Sequence, residues 1–216
     1  MIVFSHGFGV DKDSRGLFSD IAAIFGPDNC IQFDYNDIDT RNNTITVAPL
    51  DKQAKKLRQV LADTDEPINL ICHSQGCLVA ALAMPIGLQS ILFLAPASAT
   101  TSKDFKGLFG NRLALGGEGK PDSLKRKDGT ITLINQEYWD SLDAVKNANE
   151  LYTELAGNTF VTVITAGDDE LVGKSFPMPE NRAEVHTMTG ADHNFTGDSR
   201  QKLLAIFSNL DKSLNG

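Results

Sequence analysis

Ser74 stands in Cys72-His73-Ser74-Gln75-Gly76, where an apolar run from Ile68 to Cys72 meets an apolar segment with helical character, Gly76 to Met84. A serine on a sharp strand-to-helix turn has its hydroxyl pushed out above the sheet. The N–H groups that follow it open a helix, where negative charge is stabilised. That is the setting of a nucleophile. A serine in this position can also be a plain helix N-cap, so its partners must decide between the two.

Nucleophilic serine chemistry needs an imidazole to take the hydroxyl proton and a carboxylate to hold that imidazole in the right tautomer. The apolar run Val161 to Thr165 ends in Ala166-Gly167-Asp168-Asp169-Glu170-Leu171-Val172, which puts three acids just past a buried strand. Asp169 is the expected acid, with Asp168 in reserve. The run Glu184 to Met188 is followed by Thr189-Gly190-Ala191-Asp192-His193, so His193 also falls in a loop at a strand end. Asp192, beside it, reads as a surface-turn aspartate.

The other three of the four histidines fit this role less well. His186 lies inside a strand pattern and reads as core or edge packing. His73 points away from the serine in a tight elbow and has a supporting role at most. His6 belongs to Ser5-His6-Gly7-Phe8-Gly9, where two glycines let the backbone pass close to a ligand. The backbone is the functional part of that loop: the N–H groups of Phe8 and Gln75 are the candidate donors to a developing oxyanion. The loop is not a dinucleotide fingerprint, because the third glycine of that motif would fall on Lys12.

These residues need a scaffold that brings several strand ends together. Short apolar runs at Ile2–Ser5, Cys30–Tyr35, Ile68–Cys72, Ser90–Leu94, Thr159–Thr165 and Glu184–Met188 predict six strands. Several are apolar on both faces, as in a parallel sheet covered on each side. Helices are predicted over Arg15–Phe25, Leu50–Asp63, Gly76–Met84 and Ser199–Leu210. Strand and helix alternating through right-handed crossovers give a doubly wound, mostly parallel α/β sheet that binds ligands at the carboxyl ends of its strands. The cysteine-led strand is expected at one edge. The segment Ala97–Gly157, with five glycines by Gly119, a basic Lys125-Arg126-Lys127 and a helix-like Gln136–Ala156, is too long for a simple loop. It is expected to form a cap or insertion within a single domain spanning residues 1–216. Tyr138 and Trp139 either line a pocket beneath it or fasten it to the body.

At this point the chain resembles the α/β-hydrolase family. His6-Gly7-Phe8-Gly9 looks like its oxyanion loop, Cys72-His73-Ser74-Gln75-Gly76 like its nucleophile elbow, Gly167–Val172 like its acid loop and Gly190-Ala191-Asp192-His193 like its histidine loop. The resemblance runs over nearly the whole chain. It implies Ser74 as nucleophile, His193 as general base, Asp169 as its acid, Phe8 and Gln75 as oxyanion donors, and no cofactor or metal. Two features depart from the family pattern. Cys72 takes the place of the usual first glycine of the elbow, and the oxyanion strand opens the chain, so two earlier strands of the family are missing.

Composition narrows the partners. The 216 residues are 41% hydrophobic and 22% charged, which suits a globule with a packed core rather than a disordered or coiled-coil chain. A formal charge of -8 disfavours nucleic acid and anionic membrane surfaces, and no apolar run is long enough to span a bilayer. Three cysteines, Cys30, Cys72 and Cys77, without metal-ligand spacing fit reduced thiols and a cytoplasmic location. Cys77 reads as helix packing, and Asp34, Asp37 and Asp39 as a solvated turn. The expected activity is hydrolysis of a small or medium acyl ester through an acyl-serine. Thioesterase, lipase or cofactor-free lyase chemistry on the same residues, and a non-catalytic ligand receptor, are the alternatives.

Overall fold

In the computed structural model, residues 1–98, 101–172 and 183–215 are described, with side chains through residue 209. In chain order the first half contains β1 (Ile2–Ser5), α1 (Leu17–Phe25), β2 (Cys30–Ile31), β3 (Asp37–Asp39), β4 (Thr44–Thr46), α2 (Leu50–Ala62), β5 (Asn69–His73), α3 (Gln75–Ala83) and β6 (Ser90–Leu94). The second half contains α4 (Ser102–Phe109), β7 (Leu113–Ala114), β8 (Asp122–Lys125), β9 (Ile131–Ile134), α5 (Gln136–Asp143), α6 (Ala148–Asn158), β10 (Val161–Ala166), β11 (Glu184–Met188) and α7 (Asp198–Asn215).

Six strands form an all-parallel sheet in the order β2-β1-β5-β6-β10-β11. Alternate residues of each strand face opposite sides. Val3, Leu70, Phe93 and Val163 pack against α2, α3, α5 and α6, while Phe4, Ile71, Leu94 and Ile164 pack against α1 and α7. Helices cover both faces, and this explains strands that read as continuous apolar runs. Helix α3 lies so deep that nearly every residue in it is buried, which is why its sequence lacks a polar stripe.

The strand expected over Cys30–Tyr35 is shorter. Only Cys30 and Ile31 pair with β1, and β2 is an edge strand as expected. The Tyr35 N–H donates to His6 Nε2 at 3.0 Å and its hydroxyl meets Ser5 Oγ at 2.8 Å, so this residue serves the end of β1 rather than a ladder. From there the chain enters a second, five-stranded sheet in the order β3-β4-β9-β8-β7, which the sequence reading did not anticipate.

Two of its strands come from the region after β2 and three from the Ala97–Gly157 segment. The helix read over Gln136–Ala156 is two helices. Asn147 ends the continuity by capping α6, its side chain accepting from the N–H groups of Asn149 and Glu150 at 3.0 and 3.3 Å. Trp139 is buried and does not line the cavity above Ser74. Its indole N–H donates to Asp122 at 2.9 Å beneath the ammonium of Lys106, so it fastens α5 to β8 and α4. Among the described residues no helix is long and apolar enough to cross a membrane.

Candidate active site

Sheet register brings the proposed residues together. Ser5 pairs with Cys72 across β1 and β5, so the His6–Gly9 loop and the Ser74 turn emerge side by side. Ala166 pairs with Met188 across β10 and β11, so the acid and histidine loops do likewise. Gly167 N–H to Met188 O and Asp168 N–H to Ala191 O, both 2.8 Å, tie those two loops together.

Ser74 is the strained point. Its φ of 55° and ψ of -123° lie in a region that a side chain rarely adopts, and this backbone lifts Oγ off the top of β5. Cys72, two residues earlier, is a buried member of the β5 ladder, paired with both Ser5 and Phe93. It is not among the residues with positive φ, so this turn does not require glycine there.

His193 Nε2 is 2.8 Å from Ser74 Oγ, and His193 Nδ1 is 2.8 Å from Asp169 Oδ2. Burial alone would raise the Asp169 carboxyl. The hydrogen bond and charge of His193, with the N–H groups of Val172 and Leu171 on the other oxygen, outweigh it and hold the group below the usual carboxylate range. An ionised Asp169 can only accept, so Nδ1 carries the proton and Nε2 is left to accept from the serine hydroxyl. Asp192 binds the N–H and hydroxyl of Thr196 at 2.7 and 2.6 Å and shapes the histidine loop. His186 is exposed on the edge strand β11 and pairs with Glu184 at 2.8 Å.

Two buried histidines hold the surrounding backbone. His6 accepts from Tyr35 N–H on Nε2 and therefore donates from Nδ1 to its neighbour's carbonyl, Gly7 O, at 2.9 Å. That carbonyl shares its peptide plane with the Phe8 N–H, so fixing one aims the other. His73 donates from Nε2 to the His193 carbonyl at 2.9 Å and accepts from Ser14 Oγ at 3.0 Å, gripping the backbone of His193. Burial pushes His6 down to about 4; burial and then the charge of His193 push His73 down to about 3.

Both imidazoles are therefore neutral in the fold, while the unfolded chain protonates them near pH 6.5. Stability is fully present above that value and falls as pH drops toward 4 and then 3. Denaturant unfolding at pH 7 and pH 5 should differ by about 2 kcal/mol for each histidine. His73→Asn should flatten the dependence by one share, and a flat profile in the parent chain would refute the assignment.

Gln75 opens α3, where an N–H has no partner within the helix. Its side chain is pinned on both sides, donating to Gln53 Oε1 at 3.1 Å and accepting from the Tyr138 hydroxyl, all three residues being buried. The Tyr138 ring also lies 5.3 Å from that of Phe8, so one residue of α5 touches both candidate oxyanion residues. Sequence reasoning left Tyr138 open, and Ser14 and Tyr35 unassigned. Tyr138→Phe should lower stability by about 1–2 kcal/mol through the orphaned amide oxygen and reduce kcat roughly tenfold at nearly constant KM. Stability loss in a melt with kcat unchanged would show that the side chain of Gln75 does not position its amide.

A cavity of about 70 Å³ opens over Ser74 and His193, walled by Phe8, Phe105, Leu108 and Phe109. Asp37 and Asp39 lie exposed on β3, and among the described residues no three His, Cys, Asp or Glu side chains gather as a metal site. Cys72 and Cys77 are buried free thiols that burial pushes up, and Cys30 is pushed up to about 11 by the same cause. None behaves as an activated nucleophile.

Solved structures resemble this architecture over nearly its whole length. Est1E from Butyrivibrio proteoclasticus is 15% identical with a TM-score of 0.61, the match covering 97% of this chain and 85% of that one. The esterase domain of a Rhodothermus marinus protein is 14% identical with a TM-score of 0.63, over the same two shares. A monoacylglycerol lipase from Paleococcus ferrophilus is 13% identical with a TM-score of 0.61, covering 96% and 93%. The chain thus has the α/β-hydrolase fold. Its residues 34–115, which include the Ser74 elbow, match the serine hydrolase family. No curated protein matches it in sequence.

Proposed function

We propose that the chain is a serine hydrolase of small acyl esters, with Ser74 as nucleophile, His193 as general base and Asp169 as its orienting acid. The observation that carries this reading is the unbroken relay of two 2.8 Å contacts from Asp169 through His193 to Ser74. The match of the elbow region to the serine hydrolase family supports it.

In this mechanism Ser74 Oγ attacks the ester carbonyl as its proton passes to His193 Nε2. The tetrahedral oxyanion accepts from the N–H groups of Phe8 and Gln75, each such donor lowering the barrier by about 3–4 kcal/mol. The imidazolium, stabilised by Asp169, protonates the leaving alcohol. Water, activated by the same imidazole, then releases the acid from the acyl-serine. No metal or organic cofactor takes part. The small cavity favours short acyl groups, and the segment Ala97–Gly157, a cap within one domain, furnishes Phe105, Leu108 and Phe109 as the wall that selects them. The three free cysteines fit a reducing compartment, and we assign the enzyme to the cytoplasm.

The test is labelling with a fluorophosphonate probe and peptide mapping, alongside nitrophenyl esters of increasing acyl length. Labelling at Ser74 with turnover, best for short chains, is expected. Folded protein that neither labels nor turns over any ester would overturn the reading in favour of a ligand receptor.

A further inference from the structure

The cavity over Ser74 is cationic in an acidic molecule. The chain carries a net charge of -8, yet among the described residues the side chains lining this cavity include Arg15 and Arg126 and no aspartate or glutamate. Arg15 is exposed at the mouth, whereas Arg126, from the turn between β8 and β9, reaches inward.

Arg126 is held in place by design of the loop it meets. Its Nε donates to Thr132 Oγ1 at 2.9 Å and its Nη2 to the Phe8 carbonyl at 3.1 Å, while its guanidinium lies 5.3 Å from the Phe8 ring centre and 5.8 Å from that of Phe109. Gly9, at φ 59°, leaves the room: a Cβ there would collide with Nη2 and lie 2.6 Å from Thr132 Cγ2. Two of the five guanidinium N–H groups are thereby engaged. Burial, and then the charge of Arg15, pull Arg126 down to about 10, which leaves it fully charged at neutral pH.

Among the described residues no carboxylate lies within 4 Å of this cation. The acids in the adjoining groove are engaged with backbone amides: Asp128 with Thr130 at 2.9 Å, Asp13 with Gly16 and Ser19 at 3.0 and 2.8 Å, and Asp11 with Asp13 at 3.1 Å. The charge of Asp128 acts on Arg126 from beyond 4 Å but does not offset its burial, and a planar anion presented to the free edge of this desolvated guanidinium would relieve that cost.

Resting on the serine hydrolase reading above, we propose that Arg126 receives a carboxylate at the far end of the substrate's acyl group, making half-esters of short dicarboxylic acids the preferred substrates. The placement fits. Nη2 binds the carbonyl of Phe8 at 3.1 Å, whose own N–H is an oxyanion donor, so one residue of backbone, about 3.5 Å, plus a hydrogen bond of about 3 Å at each end sets an upper bound of about 9–10 Å between oxyanion and guanidinium. A chain of a few methylenes between scissile carbonyl and carboxylate bridges that span along Phe105 and Phe109. One water is consumed, one dicarboxylate and one alcohol are released, and the recognised carboxylate is unchanged.

The experiment compares mono-4-nitrophenyl glutarate with 4-nitrophenyl pentanoate on the full chain. The anionic ester should show a kcat/KM at least tenfold higher, mostly through KM, with the advantage shrinking as salt screens the pair. Arg126→Gln should collapse that ratio and Arg126→Lys keep part of it. The ratio is the readout because Arg126 also holds the Phe8 carbonyl, and damage to the loop lowers both rates alike. Should Arg126→Gln not fold, free glutarate must inhibit pentanoate hydrolysis by the parent chain competitively and more weakly in high salt. Equal or reversed preference in the parent, an unchanged ratio in the variant, or no inhibition by glutarate overturns the proposal while leaving the hydrolase intact. No turnover of either ester, with Ser74 unlabelled, removes the hydrolase reading itself.

Discussion

Ser74→Ala and His193→Ala should each lower kcat for a short nitrophenyl ester by about a millionfold, and the double variant should be no worse than either alone. The reason is the geometry of the relay. His193 Nε2 sits 2.8 Å from Oγ, so without the imidazole the hydroxyl keeps its proton, and without the hydroxyl the imidazole has nothing to activate. What remains is catalysis by the oxyanion donors and by binding. Asp169→Asn is expected to cost about 10⁴-fold, because an amide can turn its N–H toward Nδ1 and select the wrong tautomer. The amide oxygen then takes the place of Oδ1, which accepts from the Leu171 and Val172 amides at 2.8 and 2.9 Å, so stability should change little. Asp168→Asn should cost less than about tenfold, since it is Asp169 that meets His193. Steady-state kinetics with circular dichroism on all five variants checks the set. If Asp168→Asn proved the more damaging of the two, the acid would have to be moved one residue along the chain.

The meeting of Ser74, Asp169 and His193 was legible because each sits in a polar turn directly after an apolar run, and parallel pairing puts the carboxyl ends of all those runs on one edge. Three of the six strands of the main sheet, β1, β5 and β6, hold uninterrupted apolar runs because both faces are covered. The second sheet was not legible. Its strands are two to four residues long, and β3 and β8 carry more polar than apolar residues, so neither period nor β-propensity stands out. The supporting residues were hidden for a different reason. Arg126 meets Phe8 118 positions away, His73 meets Ser14 across 59 and Tyr138 meets Gln75 across 63. Such contacts leave no local pattern, and only the fold brings them together. Tyr35 shows the two effects in competition. Its β-forming character extended the predicted strand, while its N–H went to His6 instead of a neighbouring strand.

Gly76→Ala should damage both the fold and the oxyanion site. A Cβ at this position would run into the carbonyl oxygen of Ser5 and lie 2.6 Å from the carbonyl carbon of Ser5 and 2.7 Å from His6 O, all of them backbone atoms that no side-chain rotation can move. The first turn of α3 must then back away from the end of β1. Two consequences are coupled. The Ser5 hydroxyl loses its 2.9 Å bond to the Gly76 carbonyl, and the Gln75 amide shifts relative to the Phe8 amide, whose loop is packed so close that a Cβ on Gly7 would sit 3.2 Å from that of Ser74. Overpacking of this kind costs about 1–3 kcal/mol or more in stability. Displacing one oxyanion donor adds a loss of about 10²–10³ in kcat. Cys72→Gly, which restores the glycine at the other end of the elbow, offers the contrast. It removes a buried side chain from an extended strand and gives the turn nothing it lacks, so it should lower stability modestly, by about 1–2 kcal/mol, without raising kcat. Denaturant melts paired with ester kinetics separate the two cases: a Gly76→Ala protein with parental stability and rate would mean that α3 and β1 can part freely, and the tight seam between them would then have no role in setting the oxyanion site.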